Sequence, residues 1–248
     1  MSESLFGFTR TVVSRRYALL THDSFVPSSL PGWQKAVCHV LISPALGARF
    51  SQVLAVLETE GQCLGNTGPN QYFAYLLHGT ASILLDDRRH RLEAGSYLYL
   101  PPGKDVQIKS SANGTRLLVF QKEYEPLSGV PRPSAFVAHE REIKGEPFLG
   151  NEDARLQVLL PDQPAFDMAV NIFTYQPGAT LPFVESHIME HGLMMLKGQG
   201  IYRLDADWHP VQAGDVIWMA PYCPQWFVAM GKEPASYIYY KDVNRDPM

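Results

Sequence analysis

Three side chains in the second half of the chain stand close enough to act on one small molecule: Glu185, His187 and His191, in the run FVESHIMEHG. Two imidazoles and a carboxylate form a mixed nitrogen and oxygen donor set. Such a set suits a divalent cation that keeps positions open for water or substrate. Convergence depends on the backbone. On a strand, residues two apart point the same way, so Glu185 and His187 share a face. On a helix the same pair diverges by about 200°, at 3.6 residues per turn, and only His187 and His191 align. Gly192 follows directly, and glycine inside a helix costs about 1 kcal/mol relative to alanine. The run is therefore expected to be extended.

The elements that must carry these residues are visible as an internal repeat. Residues 77–101 read LHGTASILLDDRRHRLEAGSYLYLP, and residues 196–220 read LKGQGIYRLDADWHPVQAGDVIWMA. They align without a gap at an offset of 119, pairing Gly79 with Gly198, Leu85 with Leu204, Asp86 with Asp205, His90 with His209, and Gly95 with Gly214. A repeat at this spacing is a whole domain rather than a solenoid unit. In each copy short runs rich in aromatic and β-branched residues are bounded by Gly, Pro or Asp, the pattern of antiparallel strands joined by tight turns. The Ala-Gly turns call for a positive φ, which glycine adopts without a Cβ clash.

Strands of this length must bury one face against a second sheet, and a double-sheet jelly roll meets that need. The expected architecture is all-β: two tandem jelly-roll β-barrel domains, 1–135 and 136–248, joined through the Pro-rich and charged stretch at 130–147. Asp86, Asp87, Asp205 and Asp207 are expected at hairpin turns. His90 and His209 are read as structural residues, Trp208, Trp218 and Trp226 as core or pocket wall, and Cys223 as packing.

Bulk composition narrows the function classes. An apolar fraction of 46% with 19% charged residues supports a folded core rather than disorder. The formal charge is −4 and the basic residues are scattered, unlike a nucleic-acid binder. No run approaches the roughly 20 apolar residues of a membrane span. Cys38, Cys63 and Cys223 are odd in number and widely spaced, which fits neither a disulfide framework nor a structural zinc site. A cytoplasmic protein without nucleic-acid or membrane partners is expected.

Two motifs make a resemblance explicit. Gly95, Pro101 and Gly103 are spaced as in the second cupin motif, Gly-x5-Pro-x-Gly. Glu185-x-His187-x3-His191-x6-Gly198 is similar to the first, with Glu185 where the commoner pattern has His and His191 where it has Glu. Gly214 and Gln225 fall where the second motif carries its Gly and its last ligand. The resemblance implies a bicupin whose C-terminal domain holds a metal through Glu185, His187, His191 and Gln225. Without thiolates, octahedral Mn²⁺ or Fe²⁺ suits this donor set better than closed tetrahedral zinc. Projected back by 119, the four positions fall on Asn66, Gly68, Tyr72 and Val106, which cannot assemble a metal site. The N-terminal domain is expected to be a scaffold.

Longer matches cover nearly the whole chain. QGIYRLDADWHPVQAGDVIWMAP, FVESHIMEHG and the tail YIYYKDVNRDP, with SLPGW at 29–33 and YLYLPPG at 97–103, resemble the (S)-ureidoglycine aminohydrolase family. That resemblance implies Mn²⁺-dependent hydrolysis of (S)-ureidoglycine to (S)-ureidoglycolate and ammonia in purine and allantoin breakdown. It places Glu185 next to the reacting amine, Lys241 against the substrate carboxylate, and Tyr202 and Tyr237 in the pocket wall. Glu185 and Lys241 are the expected catalytic residues. A small ureido substrate and a homo-oligomer are expected. Two other readings stay open: a non-haem iron cupin dioxygenase, and a cupin that binds a small molecule without turnover.

Overall fold

A computed structural model describes residues 7–246, and among these there is no α-helix, only strands and three short 3-10 turns. Twenty strands form sheets of eight, nine and three strands. The C-terminal half closes as a jelly roll between two of them. One wall contains Val216–Met219, His191–Lys197, Ala235–Asp242, Met168–Tyr175 and Asn151–Val158 in that spatial order, and the other contains Asp207–Gln212, Gln199–Leu204 and Gln225–Met230. All the pairings are antiparallel. The N-terminal half closes through one long strand, Ser51–Asn66. Its first part pairs with Thr115–Glu123 and its last part with Asp105–Ser110. The strand turns between these partners near Gly61, where Glu60 takes a φ of 65°.

The repeat is borne out turn for turn. Leu85 pairs with Arg88 around Asp86 and Asp87, both at positive φ, and Leu204 pairs with Asp207 around Asp205 and Ala206. Gly95 and Gly214 have φ of 88° and 93°, the conformation the Ala-Gly turns require. Asp207 itself is a strand residue, and its carboxylate accepts a 2.6 Å hydrogen bond from Tyr17. His209 sits beside that contact, with Nε2 3.2 Å from the Tyr17 hydroxyl. Trp218 is buried and Trp226 donates to the Leu181 carbonyl at 2.8 Å. Trp208 is 57% exposed, so the expectation of core or wall fails there. It stands edge-on to Trp226 with the Arg203 guanidinium 5.8 Å from its ring centroid.

The halves exchange strands. Tyr17–Leu20 pairs with Val216–Met219 in the C-terminal sheet, and Phe136–His139 pairs with Ser96–Leu100 in the N-terminal one. Arg10 fastens the first of these with two 2.8 Å bonds to the buried Asp215 carboxylate. Each barrel has its own apolar core, and a third core lies between them, where Phe50, Tyr75 and Phe120 meet Trp218, Ile238 and Tyr240. Phe50 and Tyr240 stack there with centroids 4.1 Å apart, a pair worth about 0.5–1.5 kcal/mol beyond its buried area. A buried polar lock adds to this: Lys122 donates to Asp167 at 2.8 Å, and Gln71 donates to the same carboxylate. The two barrels are thus built as one body, which fixes the strand ends that carry the site.

Candidate active site

A cavity of about 390 Å³ opens in the C-terminal barrel, and Glu185, His187, His191, Gln225, Tyr202, Tyr237 and Lys241 all line it. The fold brings them there from separate elements. His191 is the first residue of the strand His191–Lys197, and Lys241 lies directly opposite it in the ladder with Ala235–Asp242. Gln225 opens the strand Gln225–Met230 on the facing sheet. Glu185 reaches it as an isolated bridge, each backbone N–H donating to the other's carbonyl at 2.9 Å. The run from Glu185 to His187 makes no continuous ladder, so the expected strand is reduced to this bridge.

The four heads converge. His191 Nε2 is 3.2 Å from His187 Nε2, the Gln225 amide is 3.0 Å from the same His187 nitrogen, and a Glu185 carboxylate oxygen is 3.9 Å from it. Each imidazole is held from behind at Nδ1, His187 by the Met189 carbonyl at 3.1 Å and His191 by the Tyr240 carbonyl at 3.2 Å. A carbonyl only accepts, so these contacts are made with the proton on Nδ1, which leaves each Nε2 an acceptor, that of His187 towards the Gln225 amide. Metal-binding histidines are oriented in this way. Burial keeps both rings neutral: it lowers the His187 pKa, and burial together with the neighbouring His187 lowers that of His191 to about 3.

The donor set fits a hard or borderline divalent cation. Bonds of about 2.1 Å in an octahedral shell place neighbouring donors about 3.0 Å apart, close to the spacing of the two imidazoles and the amide. The Gln225 amide presents oxygen instead of nitrogen after a half-turn that costs no backbone change. Glu185 stands further out. Among the described residues no three His, Cys, Asp or Glu side chains stand close enough together to hold a metal ion; here the carboxylate lies back from the two imidazoles and the fourth donor is an amide. Tyr72 and Val106 line a cavity of about 280 Å³, and the Asn66 side chain is used by Asp105 and the Gly68 N–H.

Burial raises the Glu185 pKa, and the charge of Lys241 offsets part of the rise. Tyr202 and Tyr237 are almost fully buried, and the Tyr237 hydroxyl lies 3.1 Å from that of Tyr175. Two further residues belong to this wall and were not singled out in the sequence. Asn171 donates to the Tyr239 hydroxyl at 3.1 Å, and both line the cavity. Its other amide atom, Oδ1, is buried and has no partner, which leaves an acceptor free beside the site. Tyr239 could have been found, because residues 237, 239 and 241 share one face of a strand. Asn171 signals itself only as a lone amide in the apolar run MAVNIFTY.

Jelly-roll walls of this kind define a cupin, and residues 171–240 match the cupin domain family. The likeness extends much further. The chain is 39% identical to the probable (S)-ureidoglycine aminohydrolase of Oryza sativa over 99% of its length and 79% of that protein. It is 37% identical to the (S)-ureidoglycine aminohydrolase of Arabidopsis thaliana over 99% of its length and 82% of that protein. The crystal structure of protein Ylba from E. coli superposes with a TM-score of 0.87 at 32% identity, covering 97% of this chain and 96% of that one. The chain belongs to the (S)-ureidoglycine aminohydrolase family, a family of enzymes.

Proposed function

We propose that the chain hydrolyses (S)-ureidoglycine to (S)-ureidoglycolate and ammonia, with a divalent cation, manganese first, held by Glu185, His187, His191 and Gln225. The observation that carries this is the convergence of the two imidazole Nε2 atoms, 3.2 Å apart, with the Gln225 amide in a cavity that also contains Glu185 and Lys241. When bound, the cation supplies Lewis acidity that polarises substrate and lowers the pKa of water. The chain's own residues do the rest. Lys241, as a point charge, takes the substrate carboxylate. The free acceptor of Asn171 takes a ureido N–H, and the tyrosine hydroxyls close the polar rim.

In the hydrolysis water oxygen bonds to the central carbon, the carbon–amine bond breaks, and one proton must travel from the water to the departing amine. Glu185 is suited to relay that proton: burial raises its pKa toward the working range of a general acid and base. Its two oxygens let one face the cation while the other faces the amine.

The activity is tested by generating (S)-ureidoglycine in place from allantoate and its amidohydrolase. Enzyme-dependent ammonia with the S product, above the spontaneous rate, supports the reading; no acceleration by folded, manganese-loaded protein overturns it. Two variants refine the substrate assignments. Lys241→Met should raise KM while metal content stays intact, since a hydrogen bond to a charged group contributes about 1.5–3 kcal/mol, roughly 10- to 150-fold. Unchanged kinetics would remove Lys241 from the site. Asn171→Ala should raise KM by a smaller factor, roughly 2- to 10-fold, as expected for one neutral hydrogen bond. A rise no greater for ureidoglycine than for an analogue lacking the ureido N–H groups would reject that contact.

A further inference from the structure

Arg49 and Phe50 belong to the N-terminal half, yet they close on the strand ends that carry the site. The Arg49 backbone N–H donates to Glu190 Oε1 at 2.9 Å, its Nε donates to the same oxygen at 3.3 Å, and its Nη2 donates to Asp242. Asp242 in turn accepts the Glu190 N–H at 2.7 Å, and Trp218 donates to the other Glu190 oxygen at 3.3 Å. Glu190 precedes His191 in the chain, and Asp242 follows Lys241. Phe50 meets the other sides of the same two residues. Its ring fills the place of a side chain at Gly192, where a Cβ would come within 2.3 Å of it. It also stacks on Tyr240, whose carbonyl holds His191 Nδ1. His191 and Lys241 are thus gripped from both flanks by two consecutive residues of the other barrel.

We propose that Arg49 is a positioning residue for the C-terminal site, with Phe50 as its apolar counterpart, so that the N-terminal barrel acts as the abutment for His191 and Lys241. The inference rests on the reading of the site under Proposed function. A functional constellation must be held to about 0.5 Å and 10–20° to work, and both residues lie at the ends of strands, where the ladder alone holds least. Glu190 is 1% exposed, so its carboxylate depends on protein donors. Without the guanidinium fork, the Glu190 and Asp242 carboxylates lose their shared partner. The segments carrying His191 and Lys241 are then free to part. This also gives the barrel that lacks a ligand set a part in the chemistry of the other.

The test compares Arg49→Met, Arg49→Lys and Phe50→Leu with Tyr75→Phe. Tyr75 bonds Glu140 at 2.6 Å beside a separate cavity between the halves that shares no lining residue with the site. Manganese affinity is read by electron paramagnetic resonance on folded protein, alongside KM, kcat and Tm. Arg49→Met should weaken manganese binding about 10- to 100-fold, the range for loss of a group that orients a ligand, and should raise KM as Lys241 drifts. Arg49→Lys, which can reach only one carboxylate, should recover part of both. Tyr75→Phe should lower Tm and leave affinity and KM within about twofold of wild type. If Arg49→Met does not fold, Arg49→Lys and Phe50→Leu decide by the same readouts. Folded Arg49 variants with affinity and KM within about twofold of wild type overturn the inference. Wild-type protein that fails to respond to manganese overturns the functional reading instead, so the two failures are distinguishable.

Discussion

Glu185→Gln should lower kcat by about 10²- to 10⁴-fold, the range for loss of a positioned proton-transfer group, while manganese is retained. Coordination and proton transfer are separable at this side chain. A glutamine keeps a carbonyl oxygen at the place where the carboxylate would meet the cation, so the coordination number survives. The backbone bridge to Gln225 does not involve the side chain and also survives. What disappears is the carboxylate of the four-residue cluster itself, whose pKa burial raises. KM should change little if, as proposed, Lys241 and Asn171 hold the substrate. The check is steady-state kinetics with metal analysis on the same sample. A variant that loses metal and activity together would show that Glu185 acts only as a ligand; one that keeps full kcat would remove it from proton transfer.

His191→Ala should abolish turnover by a different route, through the cation. His191 is 5% exposed, its Nδ1 lies 3.2 Å from the Tyr240 carbonyl, and its Nε2 lies 3.2 Å from that of His187. Removing it takes away one of two nitrogen donors, and activity should fall to the spontaneous rate. Loss of a group that merely orients a ligand costs about 10- to 100-fold in affinity, so loss of the ligand itself should cost more. The thermal behaviour separates this from simple misfolding. Manganese should raise the Tm of the wild type, since a ligand that binds only the folded state stabilises it by mass action. The variant should lose that rise. A manganese-dependent rise of wild-type size in the variant would place the cation elsewhere.

Much of this site could be read before the structure. Glu185 and His187 at a separation of two, His191 four residues later and Gln225 in the second copy of the repeat are local facts, and local spacing survives folding. The Asp86 and Asp205 hairpins and the turns at Gly95 and Gly214 were readable for the same reason: each depends on two or three adjacent residues. Tyr239 was within reach, since Tyr237 and Lys241 on one strand face imply it. The rest depends on long-range pairing. That Tyr17–Leu20 would cross to the C-terminal sheet leaves no trace in its own alternation, because a strand pattern states which face is buried and not which neighbour it finds. Arg49 meets Glu190 across 141 residues of chain, and Gly192 is conspicuous only once the Phe50 ring is seen against it. In the sequence that glycine argued merely against a helix, whereas in the structure it is the gap into which the other barrel fits.

The most direct test is a manganese titration of metal-free protein in which metal binding and ammonia release are followed together. Bound manganese and activity should rise in parallel and saturate together at one ion per chain, and His187→Ala should show neither. Full activity in the metal-free protein, or wild-type manganese binding and turnover in His187→Ala, would contradict this.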